Sequence, residues 1–457
     1  MSARLLLAAA SLLAIALPSS AQDIAITHAT VALGDGSAPI EGATVVVRGG
    51  RVVSAGAGVA VPAGMRAVDG TGMWVTPGLF ASITNLGLSD VDAVDESSDV
   101  SADGSPFSAA LDVSPVINSA AQDIAISRAG GITRASVTPE AGSEIFAGQG
   151  ALINLGLGRT PVTDPRAFQL VELGERGAQL SGGSRTSAHA MLRNALIEAS
   201  SFAAAAQLTG IPASRDLQTP GDLTTDPRVA GRGVRETDVM LTRFDAAALV
   251  PVVSGQQKLY VRVQRASDIL AALELTEIFP DLDLVLVGAT EGWMVADAIA
   301  AAGVPVIAAA LNDLPESFER LAATQSNIGR MVDAGVTVGI GGYESSGDHP
   351  RSLPQMAGNL VAVARMPGAA GLSWGEALAS ITSVPARIAG LPEGTGTLAA
   401  GAPGDVVLWD GDPLELSSAP VRVFIEGVEQ PLDNHQTRLR DRYRSLDEST
   451  LPRGMVR

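Results

Sequence analysis

Few side chains in this sequence could grip a metal ion or attack a carbonyl group. There are four histidines, His28, His189, His349 and His435, and no cysteine. No two of the histidines stand at the i, i+2 spacing of a strand or the i, i+4 spacing of a helix that would aim two imidazoles at one ion. Lys258 is the only lysine, so a Schiff base, a carbamylated-lysine metal bridge or a phosphate-loop lysine has one available position. A thiolate ligand, an iron–sulfur cluster and a disulfide have none. What remains is a set of polar residues that follow apolar, strand-like runs. Asn85, Glu140, Glu144, Arg262, Glu291, Trp293 and Tyr343 could together line a site for a small polar ligand such as a peptide or an amino acid. Glu344 and His349 are the candidates for metal-free acid/base catalysis. The same residues also fit a purely structural role, because strand-end loops are polar in any barrel.

Three further motifs read as structure. The acidic stretch from Asp90 to Asp99 lacks the spacing and the glycine of a calcium loop, and is expected to be a solvated loop. Gly148-Gln149-Gly150 has no lysine at phosphate-loop spacing and is expected to be a close backbone turn. Gly371 to Gly375 matches a serine-hydrolase elbow, but no strand precedes it. Ser373 followed by Glu376 fits a capping box that opens a helix at Trp374.

The elements that must position these residues change character along the chain. Residues 22–75 are short β segments, including a hairpin that turns at Gly49-Gly50. Residues 76–394 alternate apolar strands with Ala-rich helices. The strands include Ile132–Val137, Leu259–Val263, Leu284–Val287, Val304–Ala308 and Val336–Ile340. The helices include Ser187–Ala206, Ala266–Leu275 and Trp293–Ala302. Such alternation predicts a parallel sheet covered on both faces and suits a β/α barrel. Residues 395–435 return to β, and the charged tail 436–457 begins as a helix. A barrel flanked at both ends by β pieces predicts that the two ends meet in one small domain.

The chain has 457 residues, 46% of them hydrophobic, and a net charge of −18, enough apolar material for a full core. The acidic balance argues against nucleic acid and anionic membranes as partners. Arg4, the apolar run Leu5 to Leu17 and the small residues up to Ala21 predict a cleavable export signal, residues 1–21, and a periplasmic or secreted protein. Later apolar runs are broken by Gly303 and Pro305, so no membrane span is expected after cleavage.

Four segments, in order, resemble the amidohydrolase superfamily, and within it the exported imidazolonepropionase-like members. They are Gly42 to Gly56, Gly72 to Phe80, Ala377 to Gly390 and Gly394 to Pro413. The resemblance implies an amidohydrolase-like (β/α)8 barrel with a small composite β-sandwich built from both termini. It also implies hydrolysis of non-peptide carbon–nitrogen bonds, in amides, cyclic imides or dipeptides, by water on zinc or another divalent metal. The family places a His-x-His pair after the Pro-Gly-Leu segment, where this sequence has Ile83-Thr84-Asn85. Two later strand ends, Val261-Arg262-Val263 and Val287-Gly288-Ala289, carry no histidine. The last strand runs into Tyr343-Glu344 where the family has aspartate, and Lys258 precedes its strand, at the wrong end of the barrel. No metal cofactor is therefore expected. The expectation is a catalytically degenerate homologue that binds a small polar or peptide-like ligand, or forms a hetero-oligomer with an active amidohydrolase. The alternative is a working amidohydrolase with a non-standard or metal-free site.

Overall fold

The computed structural model of the chain describes residues 21–91, 94–158, 160–209, 240–341 and 350–444. The predicted signal segment falls almost wholly outside them. Both ends of the chain build one eight-stranded sheet. Its strands are β1 (Ile24–Val31), β2 (Ile40–Arg48), β3 (Arg51–Gly56), β4 (Arg66–Asp69) and β5 (Trp74–Pro77), followed after the barrel by β14 (Val406–Trp409), β15 (Pro420–Ile425) and β16 (Val428–Gln430). The order is β16-β15-β14-β5-β1-β2-β3, with β4 on β1. Gly49 and Gly50 both have positive φ, and Arg48 stands opposite Arg51, so the β2–β3 hairpin turns where the glycines predict. In place of two separate layers there is one continuous hydrogen-bonded sheet. Bulges along β1 let its first half pair with β4 and its second half with β5. Ile24, Ile26, Val45, Val75, Leu408 and Phe424 form its core.

The second sheet is the barrel. It comprises β6 (Leu79–Thr84), β7 (Ile132–Val137), β8 (Phe146–Asn154), β9 (Val162–Glu172), β10 (Lys258–Val263), β11 (Leu284–Gly288), β12 (Val306–Ala308) and β13 (Val338–Ile340), hydrogen-bonded in chain order. A bridge between Ser82 and Gly341 brings the two edges together. Side chains alternate across the strands. Phe168, Leu170, Tyr260, Val285, Val287 and Ile307 share one buried cluster, the barrel interior. Leu259, Val261, Leu286, Val306 and Ile340 belong to another, which joins the strands to the helices outside.

The barrel departs from a regular β/α repeat at β8, which is antiparallel to both neighbours. A parallel return needs a crossover of a dozen or more residues, and the connections 138–145 and 155–161 are too short for one. Gly148-Gln149-Gly150 lies inside this strand, which corrects the expected turn. The glycines answer to packing. A Cβ on Gly150 would sit 2.1 Å from the Phe168 ring, and one on Gly148, at φ +121°, would sit 2.8 Å from the Leu111 carbonyl oxygen.

Two helices fall close to expectation, at Arg185–Thr209 and Ala266–Ile278, and a further one, Arg243–Val253, precedes β10. The stretch from Trp293 to Ala302 divides into a short 3₁₀ turn, Gly292–Met294, and a helix, Ala296–Ala302. Ser373 and Glu376 form the reciprocal capping box, and the tail helix His435–Tyr443 is capped by Asn434. Among the described residues no helix is long and apolar enough to cross a membrane.

The two sheets are joined by buried polar contacts. Arg134 on β7 places Nε 2.7 Å from Asp405 Oδ2 and Nη2 3.1 Å from Glu426 Oε1. Within the composite sheet, Trp409 on β14 donates its indole N–H to Thr76 Oγ1 on β5 at 2.9 Å.

Candidate functional site

The strands β6, β7 and β9 to β13 end at one mouth, where a β/α barrel assembles ligand sites. On β9 and β10 the register sets Phe168 opposite Lys258, Leu170 opposite Tyr260 and Glu172 opposite Arg262. Leu170 and Tyr260 face the interior, so the pair two residues further on faces it as well, at the rim. Arg262 Nη1 lies 2.8 Å from Glu172 Oε1. The Glu172 side chain is 4% exposed, whereas that of Arg262 is 29% exposed and reaches the open side. Beneath them Tyr260 stacks on Phe168, with ring centroids 4.3 Å apart. Complete burial pushes the Tyr260 phenol above its ordinary range, which keeps it neutral. Its hydroxyl and the buried Ser82 hydroxyl have no partner among the described residues.

A second charged group surrounds the same rim. Arg185, at the start of its helix, meets Asp268 at 2.9 Å, Glu319 at 3.4 Å and Glu175 at 3.6 Å. Glu319, in the segment after β12, also accepts the Glu175 backbone N–H at 2.6 Å. Burial is the largest influence on its carboxyl and pushes it above the usual range, against the hydrogen bond and the neighbouring guanidinium of Arg185.

The residues singled out in the sequence have divided fates. Arg262 is at the mouth and paired. Asn85 is exposed just past β6, and Glu140 and Glu144 are exposed after β7. Partial burial, then the charge of Asp245, raises the Glu144 carboxyl. Glu291 is a brace: its two oxygens accept the Ala266 and Ala322 backbone N–H groups, each at 3.1 Å, tying together the loops that follow β10, β11 and β12. Trp293 donates its indole N–H to the Ala322 carbonyl at 2.9 Å and lies 4.4 Å beneath the Arg330 guanidinium. Tyr343, Glu344 and His349 lie outside the described residues. Lys258 is the first residue of β10, at the end remote from the mouth, and meets Asp283 at 2.6 Å.

Glu172 was not among the expected site residues. Its signal was present: a charged residue closing a run that alternates into the barrel from Phe168.

A divalent metal does not fit this donor set. Among the described residues no three His, Cys, Asp or Glu side chains gather where they could hold an ion. Ile83, at φ +54°, has an apolar side chain buried in the interior cluster and donates its N–H to Ser136. Glu172, a rim carboxylate facing the interior, is already neutralised by Arg262.

Comparison with known proteins places the fold. Residues 283–432 match the amidohydrolase family. Over that segment, about a third of the chain, the sequence is similar to the amidohydrolase family. A 60-residue stretch is 45% identical to the amidohydrolase tasK of Hapsidospora irregularis, covering 13% of this chain and 6% of that protein. An amidohydrolase from Thermotoga maritima superimposes with a TM-score of 0.73 at 21% identity, over 89% of this chain and 99% of that one. Molinate hydrolase gives 0.51 at 17% identity, over 96% and 99%. The zinc complex of atrazine chlorohydrolase TrzN from Arthrobacter aurescens gives 0.50 at 18%, over 91% and 98%. At these identities the structural matches show the fold alone; the chemistry of this chain must be argued from its own residues.

Proposed function

We propose that this amidohydrolase-superfamily protein is an exported binding protein that has lost metal-dependent carbon–nitrogen hydrolysis, and that its barrel mouth holds a small polar ligand through an anionic group. The Glu172–Arg262 pair carries the reading. A guanidinium facing inward at the rim repels a divalent cation and attracts a carboxylate, for which its planar fork is suited. Partial exposure leaves Arg262 accessible from the mouth, while Glu172 beneath it fixes the orientation of the fork. Arg176, exposed, and Arg265, partly exposed, stand on the same rim among the carboxylates Glu175, Asp268 and Glu319. Export rests on the signal-like residues 1–21.

Calorimetric titration with N-acetyl amino acids and dipeptides tests the site. Saturable binding is expected for the free carboxylates, weakened about tenfold or more in Arg262→Gln. Equal binding of the amidated ligands, or an unaffected variant, would count against the proposal.

A further inference from the structure

A groove of about 1090 Å³ lies at the opposite end of the barrel from the mouth, where the composite sheet meets the helix Ser383–Ile388. Its position is fixed by Gly390, just past that helix, where an added Cβ would sit 3.3 Å from Cε of Lys258, the first residue of β10. The volume is at or above the upper end of the roughly 300–1,000 Å³ typical of small-molecule pockets. Residues Val53, Ser54 and Ala55 of β3 form one wall.

β3 is the edge of its sheet, and the edge is half covered. Val52 exchanges two backbone hydrogen bonds with the segment beside it, its N–H to the Ala402 carbonyl at 3.0 Å and its carbonyl from the Gly401 N–H at 2.8 Å. Arg51 bridges to Pro403 in the same place. The chain then turns away at Gly401, whose φ is +87°. Toward β2 the register runs Val52 opposite Val47, then shifts at a bulge and resumes with Ser54 opposite Val46 and Ala55 opposite Val45. Pairs alternate along an antiparallel ladder, and the bulge inserts one residue. Ala55 is therefore the next residue after Val52 whose N–H and C=O point away from β2, into the groove. An edge strand with a free donor and acceptor is a template for another extended chain.

The far wall supplies a charge. Arg387, on the helix, is exposed, and its guanidinium has no ion pair or hydrogen bond among the described residues. Of the acidic residues on the wall, Asp35 has one carboxylate oxygen engaged by the Ser37 amide at 3.0 Å and hydroxyl at 2.6 Å. Glu393 stands at the rim. Leu391 and Leu398 supply apolar contact between the walls.

We propose that this groove is a docking site for an extended peptide, which adds a strand to β3 at Ala55 and sets its C-terminal carboxylate against Arg387. Main-chain pairing supplies affinity with little demand on sequence, and the guanidinium selects a chain end. The site is independent of the barrel mouth, so its success or failure leaves the ligand reading above untouched.

A fluorescein-labelled hexapeptide of alternating Thr and Val, with a free C-terminal carboxylate, is the probe, titrated into the full-length protein alongside its C-terminal amide. Anisotropy should show saturable binding of the free acid, at least about tenfold tighter than the amide. Hydrogen exchange should slow in the segment 51–57. Arg387→Gln, a surface change that leaves the fold intact, should bring the free acid down to the affinity of the amide. Ala55→Pro, which removes the donor, should abolish binding of both. Absence of saturable binding, equal affinity of acid and amide, or exchange in 51–57 that does not respond to the peptide would overturn the proposal.

Discussion

A carboxylate sunk at the rim of a barrel is held as an ion only by what stands next to it, and Glu172 and Glu319 are held differently. Glu172 has Arg262 at 2.8 Å. Glu319 shares Arg185 with Asp268 and Glu175, so three carboxylates compete for one guanidinium. Burial outweighs its partners and raises its carboxyl above the ordinary glutamate range. A group whose folded-state pKa is raised contributes stability that is present below its unfolded pKa and lost as the pH rises through the folded one. Glu319→Gln keeps the bond to the Glu175 amide without the charge. It should therefore be more stable than the parent at neutral pH, with the advantage vanishing as the pH falls below the ordinary carboxylate range. Thermal melts of both proteins from pH 4 to 8 check this; a variant less stable at neutral pH would contradict it. At this scale the sequence was partly legible. Arg262 could be placed because it closes a recognisable strand. Glu172 was missed although it closes the run from Phe168, because Asp164, Arg166 and Gln169 on the same strand interrupt its apolar pattern. The bracing role of Glu291 depends on two loops distant in sequence, which no local pattern reports.

Among the elements, the antiparallel β8 is the least expected. Apolar runs joined by helices were readable as parallel strands, and most of the barrel strands are parallel. β8 broke the pattern because Gly148 and Gly150, read locally, look like a turn. Their true cause is the approach of Phe168 and Leu111 from other parts of the chain. Gly150→Ala places a methyl against a buried aromatic ring and should destabilise the fold by about 1–3 kcal/mol. Urea unfolding monitored by circular dichroism gives the number, and an unchanged midpoint would show that β8 is packed more loosely than described. The capping box at Ser373, by contrast, was fully legible, because its two partners lie three residues apart.

For the whole molecule, the joint between the composite sheet and the barrel is the feature most exposed to a single change. Arg134 and Asp405 are 10% and 7% exposed, and each belongs to a different sheet. Removing the guanidinium leaves a buried carboxylate without its partner, a loss of about 3–5 kcal/mol. Arg134→Ala should therefore lower the unfolding midpoint by more than any exposed arginine substitution does, Arg51→Ala for example. Equal effects of the two would mean that the joint is held by Trp409 and its apolar neighbours alone. The meeting of the two termini in one sheet was readable from β segments at both ends of the chain. Its continuity was not, because the change of partner along β1 depends on bulges that leave no compositional mark.

A barrel mouth built around a guanidinium should hold no divalent metal ion. Metal content by plasma mass spectrometry, on protein purified without chelator and assayed in parallel for hydrolysis of dipeptides and cyclic amides, tests it most directly. No stoichiometric divalent metal is expected, and no hydrolysis that added zinc restores. One or more equivalents of tightly held metal per chain, lost on chelation together with a measurable amide-bond hydrolysis, would contradict it.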